Sequence, residues 1–382
     1  MNTTARDTSG RIDVNAGSGE RVSVDRISSE LHRLWADISR QVEEKSGQIP
    51  LRTSILTLVV VARGQLEMRT AHAVLRELAE QLPSRAIVIE IGKPGTQLDA
   101  VISANCRMVV ADRATCYEVI EIRAPSDRLD ALPSLLVPLE LYDIPSFMWW
   151  VGDVDFSSSG FLRLSQSAER IIVDSSRFDE APAALADFET FLQSGEASCT
   201  GTDLNWARST SWRELIAQSF DHPRTHGLLN RIQRVEIGYD PSAEAQALLI
   251  TGWLATRLNW SLSAATANQN ETTLRLRSQH NEVTITLTNT ASAGVGLRSV
   301  RILAGSGSRN ARIAIRRRSE DLAAVSVEAA GMPRQERIVR DRQPRLHELI
   351  GSELLIHTRD RVFDEALDFV SSIVTNLRSP HG

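Results

Sequence analysis

Lysine is nearly absent from this chain of 382 residues, and cysteine and tyrosine are scarce. Only Lys45 and Lys93 occur, so arginine carries almost all the positive charge. Genomic codon bias accounts for this ratio more simply than selection for guanidinium chemistry does. The three cysteines are too few for a disulfide framework and indicate a reducing compartment. We therefore expect a cytoplasmic protein.

Long apolar runs are also missing. No run approaches the roughly 20 residues that a membrane-spanning helix needs, and the first ten residues contain no apolar signal region. The hydrophobic fraction of 42% and charged fraction of 24% are ordinary for a soluble globular protein. The length predicts two or three domains. The missing apolar runs predict no association with a membrane.

The common catalytic motifs are missing as well. No strand leads into G-x-G-x-x-G, and there is no Walker loop, no G-x-S-x-G elbow and no C-x-x-C. His222 and His226 have a spacing that suits a metal on a helix, but Pro223 lies between them, so a solvated loop is the better interpretation. The sequence therefore predicts no catalytic residue, no cofactor and no metal.

What the first half contains is the pattern of an α/β domain. Pro145 cannot continue a helix but suits the start of a strand, and the bulky residues 147–150 then read as a short strand buried on both faces. Further strands are predicted at 55–62, 86–91, 103–110, 115–123 and 170–173, with helices at 23–44 and 68–82. The strand–helix–strand unit predicts parallel pairing, whereas the runs 103–110 and 115–123 predict a hairpin. We expect a disordered tail at 1–22 and an α/β domain at 23–198 with a mixed, mostly parallel sheet.

The pattern changes near residue 199. Ser211 and Glu214 form a capping-box pair, and Asp240 before Pro241 is typical of a helix start. Gly252, inside the apolar helix that follows, predicts close packing against a neighbour. Period-two alternation then predicts an antiparallel meander with one wet face, followed by two helices. Residues 199–382 are thus predicted to form an α+β domain.

Arginine is concentrated on this meander. Residues 272–345 contain fourteen arginines and six acidic residues, a local charge of +8 that leaves −13 for the rest of the chain. The alternation places five of these arginines on the wet face: Arg275, Arg277, Arg301, Arg312 and Arg316. Such a face would suit an acidic partner or phosphates.

Two sets of residues are candidate sites. Trp and Arg dominate binding hot spots, so the partner-binding candidates are Trp149, Trp150, Trp206, Arg208, Trp212 and Arg213. For the last four, the alternative is packing of tryptophans under arginine stems. Asp174 and Ser175 follow a strand at the edge where α/β domains bind ligands, although capping of the next turn explains them more simply.

Two further pairs stay open. Asp153 and Asp155 could act as an acid/base pair, but strand-end carboxylates are more often solvated caps. Cys106 and Cys116 lie on the two arms of the predicted hairpin and could face each other as a redox pair. The register of the hairpin, however, is not fixed by the sequence.

Seven segments in order resemble the glucose-6-phosphate dehydrogenase assembly protein family, OpcA. They are RTSILTLVVVA (52–62), LPSRAIVI (82–89), PLELYDIPSFMWWVGD (138–153), IIVDSSRF (171–178), DLNWARSTSWRELIAQSFD (203–221), ALLITGWLATRLNW (247–260) and ELLIHTRDRVFDEAL (353–367). The resemblance implies a non-enzymatic protein that binds glucose-6-phosphate dehydrogenase, promotes its active oligomer, and so supports the oxidative pentose phosphate pathway.

Two alternatives are weighed against this expectation. An α/β enzyme or sensor could bind a phosphorylated sugar or nucleotide at Asp174 and Ser175. Nucleic-acid binding by the arginine-rich sheet would need aromatic side chains for base stacking, and residues 272–345 contain none. We therefore expect glucose-6-phosphate dehydrogenase as the partner and no nucleic acid.

Overall fold

A computed structural model of the chain describes residues 13–46, 51–52, 54–79, 81–109, 113–141, 143–195, 199–290 and 296–378. Its first elements are β1 (Asp13–Val22), α1 (Ile27–Ser46), β2 (Leu51–Arg52), β3 (Leu56–Arg63), α2 (Gly64–Leu78), β4 (Ser84–Gly92), β5 (Asp99–Val109), β6 (Arg113–Pro125), α3 (Pro133–Leu136), β7 (Ser146–Trp150), α4 (Ser159–Ser165), β8 (Arg170–Val173), α5 (Ala181–Gln193) and β9 (Thr200–Asp203). They are followed by α6 (Leu204–Arg208), α7 (Thr210–Gln218), α8 (Pro223–His226), β10 (Ile232–Tyr239), α9 (Glu244–Arg257), β11 (Ser261–Ala267), β12 (Glu271–Arg277), β13 (Glu282–Asn289), β14 (Leu297–Ser306), β15 (Arg309–Arg317), β16 (Leu322–Ala329), β17 (Gln335–Arg340), α10 (Leu346–Glu353) and α11 (Arg361–Arg378).

The chain forms two compact units, and each unit includes a helix from the other half of the sequence. The first comprises Met1–Val173, Ser194–Gly201 and Leu346–Thr358, and the second comprises Asp174–Gln193, Thr202–Arg345 and Arg359–Gly382. The sequence placed a single boundary between 198 and 199. In the structure α5 packs against α9 and α11 of the second unit, whereas α10 packs against α2 of the first. Each helix therefore belongs to the unit against which it packs, regardless of its place in the chain.

The first unit contains a mixed, mostly parallel sheet, as predicted. Among the described residues its order is β1-β5-β6-β4-β3-β7-β8-β9, with β2 beside β6. β3 and β4 are parallel, as the crossover predicted, and β5 and β6 form the predicted antiparallel hairpin. Residues 13–22, which the sequence placed in a disordered tail, form β1 and pair antiparallel with β5. Residues 1–12 lie outside the described part of the chain.

β7 lies well inside this sheet. It pairs in parallel with β3 on one side and with β8 on the other. The side chains of Phe147, Met148, Trp149 and Trp150 are all buried, which confirms the prediction of a strand covered on both faces. The indole of Trp150 packs edge-on against Phe161 of α4, with ring centroids 5.4 Å apart.

Two buried ion pairs in the first unit were not expected from the sequence. The guanidinium of Arg85 pairs with the carboxylate of Glu118 and donates to the carbonyl of Leu139 (2.6 Å), while Trp35 Nε1 donates to the other oxygen of Glu118 (2.6 Å). A second pair joins Arg170 of β8 to Glu353 of α10 at 2.8 Å. Arg170 begins a short strand whose other residues are all apolar, so its partner on a distant helix could not be read from the sequence nearby. Breaking such a pair leaves an uncompensated buried charge, which is costly.

The second unit contains an eight-stranded sheet, ordered β11-β12-β13-β10-β14-β15-β16-β17 among the described residues. Most pairs are antiparallel, as the predicted meander requires. β10, which the sequence analysis missed, lies between β13 and β14 and is parallel to β13. Its apolar Val235, Ile237 and Tyr239 alternate at period two, so the signal was present in the sequence.

Helices α9 and α11 cover the apolar side of this sheet and pack closely on each other. A Cβ atom added to Gly252 would lie 2.3 Å from the carbonyl oxygen of Ala366, which confirms the close packing predicted for this glycine. The predicted capping box is wrong, because α7 begins at Thr210 and the hydroxyl of Ser211 donates to Asp341 (2.6 Å). Asp240 does stand at the start of a helical turn, Pro241–Ala243, as predicted, but its side chain pairs with Arg298 at 3.0 Å and makes no capping hydrogen bond.

The predicted redox pair can be described only at the backbone. Cys106 and Cys116 are direct register partners in the β5–β6 hairpin. Their side chains lie outside the described residues. Cys199, whose side chain is described, is a free thiol.

Candidate functional site

Asp174 is the centre of a buried polar cluster in the second unit. It follows β8 in the chain and caps the short 3₁₀ turn Ser175–Arg177, accepting from the backbone nitrogen of Ser176 at 3.2 Å. The guanidinium of Arg208 donates to both carboxylate oxygens of Asp174, at 2.6 and 2.8 Å. Burial alone would raise the pKa of Asp174, but the hydrogen bonds and charge of Arg208 outweigh it and hold that pKa below its usual value. The group is therefore an ionised carboxylate locked into a two-pronged ion pair.

Asp203 extends this cluster with a second carboxylate. One of its oxygens accepts from the backbone nitrogens of Ser175 (3.1 Å) and Asn205 (2.9 Å), so the residue caps α6. The amide of Asn205 donates to the Ser175 hydroxyl (3.0 Å) and its oxygen accepts from Arg208 (3.0 Å). Because Asp203 is fully buried, burial raises the pKa of its carboxyl to about 6. Asp203 and Asn205 were missed by the sequence analysis, although an aspartate directly before an apolar helical turn is a familiar cap signal.

The predicted ligand-edge pair, Asp174 and Ser175, thus lies within a network of internal hydrogen bonds. Both residues are buried, with 4% and 1% of their surface exposed. Their local geometry corresponds to the simpler interpretation weighed in the sequence, in which Asp174 caps the following turn.

The predicted aromatic–arginine cluster separates into three different environments. The guanidinium of Arg213 stacks over the indole of Trp206 at 3.3 Å, and Trp206 Nε1 donates to Asp360 (2.8 Å). Arg208 instead binds Asp174. Trp212 is fully buried, with the guanidinium of Arg317 lying 5.6 Å from its ring centroid.

None of the four tryptophans named as partner-binding candidates presents its ring on the surface of the chain. Trp149 and Trp150 are 1% exposed, Trp206 is 4% exposed and Trp212 is fully buried. Arg208, paired with Asp174, and Arg213, stacked on Trp206, are half-buried. These six residues act as internal packing and pairing groups, so a contact surface has to be sought elsewhere on the chain.

The remaining polar candidates also have local roles. Asp155 accepts from the backbone and hydroxyl of Ser157 (3.1 and 2.7 Å), as a solvated cap does. His222 caps α8 by accepting from the backbone nitrogen of Arg224 at 3.1 Å, and this hydrogen bond engages one of its two ring nitrogens. Within the described ranges, no group of three or more His, Cys, Asp or Glu side chains is placed to hold a metal.

The open face of the second sheet carries the most exposed charge of the candidates. The five arginines predicted for this wet face are all exposed. Part of the face forms a depression of about 560 Å³, which we call the arginine depression. Its charged lining consists of Arg234, Glu236, Arg301, Arg312, Arg316, Arg318, Glu328, Arg334 and Glu336.

Backbone register explains why these side chains meet. Arg312 stands opposite Glu328, Ala314 opposite Ser326, and Arg316 opposite Ala324 on the paired strands β15 and β16. Residues paired in this way point to the same face of a sheet. Long charged side chains therefore surround a floor of small ones.

Among the helices in the described ranges, none combines the length and the apolar character needed to cross a bilayer.

Comparison with known proteins identifies the family. Residues 75–190 match the model of the N-terminal domain of the glucose-6-phosphate dehydrogenase subunit. Residues 200–367 match the model of the C-terminal domain of the same protein. Both models belong to OpcA, and together they cover more than half of the chain.

Sequence relatives carry the same name. A protein of Nostoc punctiforme named as an OxPP cycle protein OpcA is 34% identical over 187 residues, covering 48% of this chain and 40% of that protein. The corresponding protein of Synechocystis sp. is 34% identical over 166 residues, covering 43% of this chain and 34% of that protein. The matched regions thus span less than half the length of these relatives.

The fold has a counterpart among solved structures. The super-repressor mutant of Gal80p from Saccharomyces cerevisiae superposes with a TM-score of 0.50, covering 85% of this chain and 95% of that one. At 9% identity this likeness concerns the fold alone. The two family models in tandem, together with the OpcA relatives, identify the chain as a member of the OpcA family of glucose-6-phosphate dehydrogenase assembly proteins.

Proposed function

We propose that the chain acts by binding and not by catalysis: it associates with glucose-6-phosphate dehydrogenase and promotes the enzyme's active oligomer. The family descriptions name a dehydrogenase subunit, and the relatives are assigned to the OxPP cycle. Binding, assembly and activation are our extension of these names to this chain.

One observation carries the proposal beyond the family name. Asp174, the carboxylate at the strand end where an α/β enzyme would bind a ligand, is held by both nitrogens of Arg208 and by Ser176. A carboxylate with a lowered pKa and a fixed cationic partner is poorly suited to accept a substrate proton. A group of exposed arginines lies instead on the open sheet face, where a large partner could reach them.

The mechanism is a linkage between binding and assembly. A chain that binds the active oligomer more tightly than the inactive form by about 1.4 kcal/mol shifts that equilibrium tenfold. No bond needs to be made or broken by the chain itself. Activation should therefore saturate with the concentration of the chain and should track the dehydrogenase mass distribution.

The test uses the purified full chain and the glucose-6-phosphate dehydrogenase of the same organism. Activity and oligomer mass, the latter by sedimentation velocity, are measured over a titration of the chain, with serum albumin at equal concentration as the control. We expect a saturable increase in activity that parallels a shift to the larger species. A dehydrogenase unchanged in both activity and mass at saturating chain would refute the proposal.

A phosphorylated sugar or nucleotide as ligand of the Asp174 cluster remains the competing hypothesis. A thermal-shift measurement with glucose 6-phosphate and with nucleotides examines it directly. Ligand-induced stabilisation of the chain that disappears in Arg208→Met would favour a small-molecule site over the proposed function.

A further inference from the structure

We infer that the arginine depression on the second sheet binds an acidic, extended segment of the partner protein. The inference rests on the proposed function, because the partner tested is glucose-6-phosphate dehydrogenase. It adds the surface that makes the contact and the chemistry of the segment that this surface recognises.

The first argument is unbalanced charge. Six arginines and three glutamates line the depression, an excess of three positive charges. Arg301 is paired with Glu236 at 2.9 Å, and Arg334 lies 3.3 and 3.5 Å from Glu328 and Glu336. The remaining four have no carboxylate within 4 Å among the described residues: Arg234, Arg312, Arg316 and Arg318. An acidic partner would supply the missing counter-charges.

The second argument is spacing. Arg312 and Arg316 stand four residues apart on β15 and point to the same face. At roughly 3.3 Å per residue their backbones are separated by about 13 Å along the strand. Carboxylates at positions i and i+4 of an extended segment have the same separation. Such a segment, laid along β15, would offer one carboxylate to each guanidinium.

The third argument is the shape of the floor. Ala314 and its partner Ser326 lie between the two arginines, and Ala324 lies beside Arg316; these small side chains leave room for a chain to lie close to the sheet. Beside Ala324, the side chain of Ile338 on β17 is 66% exposed. The surface thus combines a cationic rim with an apolar contact, as protein interfaces do.

Nucleic acid is a poorer fit to the same surface. Single-stranded nucleic acids are held largely by stacking of bases on aromatic side chains. No aromatic residue occurs between 272 and 345, the part of the sequence that supplies most of the depression. We therefore commit to an acidic protein segment as the occupant.

The decisive experiment compares two double charge reversals on one face of the sheet. Arg312→Glu with Arg316→Glu changes the depression. Arg275→Glu with Arg277→Glu changes the net charge equally on β12, outside the depression. All four side chains are exposed, so both variants should fold, which circular dichroism checks. We expect the first variant to bind the dehydrogenase at least tenfold more weakly than the second, chiefly through slower association, with a smaller dependence on salt.

A neutral variant separates shape from charge. Ser326→Tyr fills the floor without altering any charge and should also weaken binding, with little change in the salt dependence. Equal binding by wild type and both charge-reversal variants would overturn the inference while leaving the proposed function intact. Wild-type chain that fails to bind the dehydrogenase would overturn both.

A single-stranded RNA of 30 nucleotides is the counter-probe. Its binding should be weak and similar in wild type and in the Arg312→Glu, Arg316→Glu variant. RNA binding that is strong and lost in that variant, with dehydrogenase binding unaffected, would overturn the inference in favour of a nucleic-acid site.

Discussion

Replacing Asp203 by asparagine should reveal a pH-dependent cost that the wild-type chain pays for burying a carboxyl group. The side chain is fully buried, and burial raises the pKa to about 6, from an ordinary value of about 3.9 in an unfolded chain. A carboxyl group with a raised folded-state pKa binds more protons folded than unfolded between these two values. The stability that this group contributes is therefore fully present below about pH 4 and is lost as pH rises through about 6.

The magnitude follows from the size of the shift. A difference of about two pKa units corresponds to about 3 kcal/mol between the ends of this window. Asparagine keeps the oxygen that accepts from Ser175 and Asn205 but cannot ionise. The free energy of unfolding of Asp203→Asn relative to wild type should therefore rise by about 2 kcal/mol between pH 4 and pH 7, the remainder falling below pH 4. Asp174 does not interfere with the measurement, because its pKa is lowered and its carboxylate stays ionised in the folded chain over this pH range.

The assay is urea unfolding monitored by tryptophan fluorescence at intervals of half a pH unit, with each variant compared to wild type at the same pH. Asp221→Asn, an exposed carboxylate of the same unit, is the matched control and should show no such rise. A difference that stays flat from pH 4 to 7 would refute the reasoning. A difference that falls with pH would mean that Arg208 keeps both neighbouring carboxylates ionised.

Three other outcomes are expected. Gly252→Ala should destabilise the chain by about 1–3 kcal/mol in thermal or urea unfolding, because the added methyl group would meet the Ala366 carbonyl oxygen, and stabilisation would contradict this packing. The carboxylate of Glu121, 3.2 Å from His72 Nε2, raises the pKa of His72, so Glu121→Gln should lower that pKa in an NMR titration, and an unchanged pKa would contradict the pairing. The stability that this pair contributes is present at low pH and is lost as pH rises through the raised pKa. Burial raises the pKa of Cys199 to about 11, so less of its thiol is ionised at pH 8 than in an ordinary cysteine. Peptide mapping after treatment with iodoacetamide at pH 8 should show that Cys199 reacts about a hundredfold more slowly than an ordinary thiol. Equal rates would contradict the burial.

Local patterns were sufficient to predict much of the fold. The strand at Trp149 and Trp150 follows from a proline and a run of bulky residues, and its burial on both faces is confirmed. The tight approach at Gly252 follows from a costly glycine in an apolar helix. Both depend on a few neighbouring residues, so the sequence contains the whole signal.

Long-range choices were not predictable in the same way. β10 inserts between β13 and β14, which both follow it at a distance in the chain, and nothing local in its sequence specifies these two neighbours. Likewise, Asp174 carries the same local signal whether its partner is a ligand or a guanidinium, and Arg208 lies 34 residues away. The exposure of a tryptophan depends on such distant contacts as well, which is why Trp206 and Trp212 were candidates for a surface they do not reach.

The exchange of helices between the two units has a practical consequence for anyone dividing this protein. A fragment ending at residue 198 would carry α5 without the α9 and α11 surfaces that cover its buried Leu185 and Phe188. The same fragment would lose α10, and with it Glu353, leaving the guanidinium of Arg170 inside an apolar strand with no counter-charge. Such a half-protein should aggregate or be degraded, so binding studies require the uncut polypeptide. The same arrangement limits recombination of the halves in evolution. Loss of the second half would remove α10 from the first unit, and loss of the first half would remove α5 from the second unit.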